Sequence, residues 1–231
     1  MSSPFRTLLA AVGLGAAMTA PALAAPSYAP YANAGIDAIY NLLFCDDANA
    51  FAAAAAGTAA HWQSTLFAKP ADVATLERLA ADDAQEGRIR YLAYGRLRAL
   101  GRPVPPKVLL GVIVEVPLAG GLDTLAAFSE GGVRYINQTG KLAVLEDVPS
   151  VRPLVQRLFD AARPVVDHIG PWDKPRLAPP TASNVRLTFL VSDGLYFGQG
   201  PMNVMAKEPL AAPVIRSATE LLQAVVATGT K

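Results

Sequence analysis

Between Lys107 and Asp147 the chain alternates short apolar runs with glycine-bearing turns. Val108 to Val116 is almost unbroken and rich in β-branched residues, the pattern of a strand covered on both faces. Pro117 closes that run. Leu122 to Phe128, Val133 to Asn137 and Leu142 to Leu145 follow, separated by Ser129-Glu130-Gly131-Gly132 and Asn137-Gln138-Thr139-Gly140. Turns of this composition between short runs are hairpin chemistry, so the stretch is expected to form a four-strand meander. A helix then follows Pro149 and Pro153, with Leu154, Val155, Leu158, Phe159, Ala162, Val165 and Val166 at helical spacing.

Much of this pattern returns later in the chain. Val185 to Val191 reads as a strand, Ser192-Asp193-Gly194 answers Ser129-Glu130-Gly131, and Leu195 to Gln199 reads as the next strand. Met202 to Met205 is expected as a third strand. Pro209 and Pro213 then open a helix carrying Val214, Ile215, Ala218, Leu222, Val225 and Val226. Gly140, Pro149, Pro153 and the helix positions Leu154, Val155, Leu158, Ala162, Val165 and Val166 map onto the second segment with a shift of 60 residues. The expectation is a tandem-duplicated βββα unit, with copy one at 122–167, a proline-rich linker at 168–184 pinned by Trp172, and copy two at 185–228. Val108 to Val116 has no counterpart and is expected at the centre of a shared sheet.

Residues 35–102 carry the 3.6-residue period instead. Ile36, Ile39, Tyr40 and Leu43 mark one helix. Asp46 and Asp47 cap a second at Ala48 to Ala56. Short helices are expected at Trp62 to Phe67 and after Pro70 and Asp72. Ala84 to Leu100 is the strongest helix, with Asp83 and Glu86 in capping-box spacing and Gly101 and Pro103 at its end. Its arginines Arg88, Arg90, Arg96 and Arg98, interleaved with Tyr91 and Tyr94, are read as a solvated face with the tyrosines at the core edge.

The whole is therefore expected to be α+β: an antiparallel sheet with helices packed on it at 103–231, a helical N-terminal region at 35–102, an extended tether at 25–34 and a signal peptide at 1–24. Arg6, the apolar run Leu8 to Ala20, and Ala22-Leu23-Ala24 supply the n-, h- and c-regions of an export signal cleaved after Ala24. The mature chain is then periplasmic or secreted, with no stable membrane span. At 231 residues, 52% hydrophobic content and a net charge of +1, the full sequence suits a packed core and argues against nucleic acid as a partner. The single cysteine, Cys45, excludes an internal disulfide.

Chemistry is thinly marked. His61 and His168 lie in no metal-binding or triad motif, and no cofactor or metal site is expected. The leading expectation is an exported, non-enzymatic binding or assembly protein that contacts a protein partner or itself. Arg134, Tyr135, Asn137 and Gln138 in the first unit, with Tyr196 and Gln199 in the second, are its candidate surface, meeting at a seam between the copies. The alternative is a small exported hydrolase using Cys45 or an Asp as its active group, with Cys45, Asp46 and His61 as the candidate set, in which the histidine would generate the thiolate that attacks in the cysteine version.

Overall fold

The structure, a computed structural model, describes residues 27–53, 61–146 and 148–229. The expected signal peptide, its cleavage point and the C-terminal end of the Ala48–Ala56 helix lie outside these residues.

The apolar runs form one antiparallel six-stranded sheet: β1 (Leu109–Leu118), β2 (Gly121–Phe128), β3 (Val133–Ile136), β4 (Leu142–Leu145), β5 (Asn184–Val191) and β6 (Gly194–Pro201), in the order β4-β3-β2-β1-β5-β6. β1 lies between β2 and β5, and both faces of it are covered, as its unbroken apolar pattern requires. It continues past Pro117 to Leu118. β5 pairs with β1 only as far as Glu115, so Pro117, opposite Leu122, directs its missing N–H to the open side.

One face carries α6 (Arg152–His168) and α8 (Ala211–Gly229), with the helical turn α7 (Met202–Met205) between sheet and α8 in the chain. Val112, Val114, Leu125, Phe189, Leu158 and Val214 meet in that core. The opposite face carries the N-terminal helices α1 (Ala34–Leu42), α2 (Ala48–Ala53), α3 (His61–Leu66), α4 (Val73–Ala81) and α5 (Gly87–Ala99), packed through Tyr40, Phe44, Leu92, Leu97, Ile113 and Phe128. Each such large side chain contributes about 1.5–3 kcal/mol by leaving water. The α+β class and its antiparallel sheet are as the pattern predicts.

The duplicated unit is corrected. Met202–Met205 is a helical turn and not a third strand: Pro201 precedes it with φ −55°, and Ala206 N–H bonds back to the carbonyl of Met202. The hand of the two segments also differs. β2 and β5 both run antiparallel to β1, so they are parallel to each other. β3 lies outside β2 on one side, and β6 lies outside β5 on the other. α6 and α8 cover the same face. Swapping left and right by rotation would reverse either the face or the strand direction. The two hairpin–helix segments are therefore of opposite hand and do not superpose. The shared 60-residue spacing also fails in detail: Val166 is 1% exposed, and its counterpart Val226 is 52% exposed.

The N-terminal layer holds two further differences. Residues 27–33 are anchored and are not a free tether: Tyr28 Oη donates to the Arg176 carbonyl at 2.5 Å, and Tyr31 Oη meets Thr124 Oγ1 at 2.9 Å. α5 is buried nearly all round, because α4 covers one side and the sheet the other. Arg90 is inside, held by Asp83 at 2.7 Å and the Ala80 carbonyl at 3.0 Å. Gly87 permits the approach of α5 to the sheet, since a Cβ there would lie 2.2 Å from the Leu110 carbonyl oxygen.

Candidate functional site

The layer joint is held by a buried polar network. Glu115 projects from β1 toward the N-terminal helices and is fully buried. Tyr40 Oη of α1 donates to its Oε1 at 2.7 Å, and Arg186 Nη1 of β5 lies 3.7 Å from its Oε2. Burial raises the Glu115 carboxyl above its ordinary range, while Arg186 and the Tyr40 hydrogen bond oppose that shift. Arg186 is otherwise occupied by the carbonyls of Leu177 and Ala178 and by Gln199 Oε1.

The strap between α6 and β5 completes the joint. Trp172 N–H donates to the Leu195 carbonyl at 2.7 Å, and its ring stands edge-on to Phe197 at 4.9 Å, so Trp172 does pin this segment. Four residues on, Arg176 plugs the N-terminal layer. Its Nε donates to Asp46 Oδ2 at 2.6 Å, its Nη2 to Asn41 Oδ1 at 2.7 Å, and its guanidinium lies 4.0 Å from the Phe44 ring centre. A desolvated guanidinium over a ring with charge-assisted bonds is a strong local tie.

Where the strap, the β5–β6 turn and helices α2, α3 and α5 converge, a cleft of about 1010 Å³ opens. Leu66, Phe67, Leu92 and Leu195 supply its apolar wall, and Trp172 one rim. Lys69, Arg96 and Arg98 bring positive charge; Asp46, Asp47, Asp173 and Asp193 bring negative charge. Two of these residues hold an unpaired atom beneath the cleft surface. Arg96 Nε and Asp193 Oδ1 are buried and have no hydrogen-bond partner among the described residues. Asp193 Oδ2 accepts from Tyr196 Oη at 3.0 Å, and burial with this bond raises the Tyr196 phenol to about 12. Arg98 is anchored, donating to the Ser192 carbonyl and lying over Tyr91.

The residues expected at a seam are placed apart. β3 and β6 are separated by β2, β1 and β5, four strand spacings or about 19 Å. Arg134 is buried and paired with Glu146 at 2.7 Å. Tyr135 Oη donates to Asp123 at 2.9 Å, Gln138 N–H donates to the same carboxylate at 2.7 Å, and Asn137 Oδ1 closes its own turn. Tyr196 is in the core and Gln199 serves Arg186. These groups are occupied in structural roles, and no seam gathers them.

Of the alternative catalytic set, Cys45 lines the cleft yet is itself buried, its Sγ 3.6 and 3.8 Å from the carbonyls of Leu42 and Leu43. Burial pushes the thiol well above its usual range, with the Arg88 charge only partly opposing it. Asp46 is committed to Arg176, and the side chain of His61 lies outside the described residues. Among the described residues no group of three or more metal-capable side chains is present, and no helix is long and apolar enough to cross a membrane.

Sequence reading missed Glu115, Arg176 and Arg186. A signal existed for two of them: Glu115 and Arg186 are lone charges inside β-branched runs, and a charge in a strand buried on both faces requires a partner. No family model, curated protein or solved structure matches this chain, so the site stands on its own residues.

Proposed function

We propose that the protein is an exported binding protein whose cleft, at the joint of the helical layer and the strap, takes a short peptide segment bearing both acidic and basic groups. The observation that carries this reading is the cleft itself. Its volume is at the upper end of the range for ligand sites, and an apolar wall lies beside charges of both signs. Arg96 and Asp193, a cation and an anion in its lining, fit a ligand carrying a carboxylate and an amide or ammonium, since charges of opposite sign pair through charge-assisted hydrogen bonds. A peptide supplies all three features: apolar side chains, charges and backbone groups. Export rests on the n-, h- and c-regions of residues 1–24, and a processed chain beginning at Ala25 would support it. The thiol of Cys45, held protonated by burial, gives no support to a nucleophilic cysteine.

Panning a random-peptide library against the purified protein, followed by calorimetry on the enriched sequences, tests the reading. Enriched peptides should carry charges of both signs, and Arg96→Ala should weaken their binding about tenfold, the scale of one charge-assisted hydrogen bond. No enrichment, or binding indifferent to Arg96→Ala, would overturn it.

A further inference from the structure

We propose that β4 is a self-association edge, through which two copies of this chain join their sheets antiparallel into a continuous twelve-stranded sheet. The proposal is independent of the cleft and rests on the opposite end of the molecule.

The two ends of the sheet are built differently. β6 is guarded: Trp172 bridges to Leu195, Pro201 ends the strand, and α7 packs back against it. β4 has no neighbour on its outer side among the described residues. Its pairing with β3 settles which groups face outward. Asn137 N–H bonds to the Lys141 carbonyl, and residues 133 and 135 stand opposite 145 and 143. Pairs alternate between hydrogen-bonded and non-bonded in an antiparallel ladder. Ala143 and Leu145 therefore spend their backbone groups on β3. Leu142 and Val144 turn theirs, both N–H and C=O, to the open edge. Their side chains lie on the helical-layer face, opposite Ile136 and Arg134, and are 38% and 50% exposed. An edge with free backbone groups and exposed apolar side chains is a template for another strand.

The chemistry of the edge selects a second copy as its occupant. A continuous antiparallel sheet about a twofold axis normal to it pairs residues of equal parity. Centred on Ala143, that register sets Leu142 against Val144 of the second copy, and Val144 against its Leu142. Both are outward-facing residues, so four backbone hydrogen bonds form and the exposed apolar pair is covered twice. Centring on Val144 would instead set Leu142 against Glu146. The flanks agree in sign. The strand is preceded by Lys141 and followed by Glu146, so antiparallel pairing brings the basic end of one copy to the acidic end of the other. Parallel pairing would juxtapose like charges. With only four residues a side, the interface falls in the weak, concentration-dependent class.

Sedimentation equilibrium over a concentration series tests this on the purified protein. Val144→Pro removes only an outward N–H and leaves the bonds to β3 in place; Val144→Lys charges the edge. The protein should dimerise reversibly, and each variant should weaken the dimer at least about tenfold while keeping the wild-type circular dichroism. Ala143→Cys reads the register, because the two Ala143 positions face each other in a non-bonded pair with Cα atoms about 4.5 Å apart; mild oxidation should give a covalent dimer. A protein monomeric at millimolar concentration, or a dimer undiminished in both Val144 variants, overturns the proposal. A dimer that Ala143→Cys fails to trap overturns the register.

Discussion

Replacing Arg176 with methionine keeps much of the side chain's apolar volume and removes its charge. The 2.6 Å pair with Asp46 and the 2.7 Å bond to Asn41 are lost, with the guanidinium's place over the rings of Phe44, Tyr28 and Tyr40 at 4.0, 4.9 and 5.6 Å. The side chains of Arg176 and Asp46 are 3% and 16% exposed, so removing one partner leaves a nearly buried carboxylate alone. Breaking a buried pair in this way costs about 3–5 kcal/mol. Asp46 borders the cleft and can recover some hydration there, which places the expectation at the lower end, about 3 kcal/mol. Urea denaturation followed by tryptophan fluorescence measures it, since Trp172 sits on the strap that Arg176 ties down. In Asp46→Asn with Arg176→Met the stranded charge is gone, and the double variant should recover about 1–2 kcal/mol relative to the sum of the singles. A loss under about 1 kcal/mol in Arg176→Met, or a cycle with no coupling, would refute the argument, because either result puts the pair in the range of exposed ion pairs.

Three further outcomes follow from the same structure. Glu115 is held above its ordinary value of 4.5 by burial, so the folded state binds its proton more tightly than the unfolded state. Its contribution to stability therefore falls as pH rises from about 4.5 through the raised value, by at most about 1.4 kcal/mol per pH unit; Glu115→Gln should gain on the wild type as pH rises from 5 to 8 in parallel urea titrations, and a gap independent of pH contradicts this. Cys45 should be unreactive to a thiol reagent in the folded protein and titrate as one equivalent in urea; fast labelling under native conditions would show an accessible thiolate. Gly87→Ala should cost about 1–3 kcal/mol or more in urea, as overpacking does, since its Cβ would meet the Leu110 carbonyl at 2.2 Å; unchanged stability would mean that α5 can lift from β1.

Local pattern carried the elements well and their arrangement only in part. β1 was legible because Val108 to Val116 admits water on neither face, and α4 because Asp72 caps it through Thr75. The apparent duplication misled for a physical reason. An amphipathic helix behind two prolines satisfies the same spacing wherever it occurs, and the apolar pattern of a hairpin does not record on which side of its first strand the second one lies. Met202–Met205 is too short for period to separate strand from helical turn. The arginines of α5 look like a solvated face in one dimension; the covering by α4 and the sheet is a tertiary fact. The cleft was not legible, because its lining comes from segments far apart in the chain: Asp46, Arg96, Trp172 and Asp193 share no motif.

Binding is proposed in the cleft and not at the sheet turns. Amide and indole resonances of the labelled protein, followed while a library-selected peptide is titrated in, test it most directly. The account predicts saturable shifts concentrated at Gly95, Asp193, Leu195 and the Trp172 indole, which line or rim the cleft. Shifts centred instead on Tyr135, Gln138 and Gln199, with the cleft silent, would contradict it.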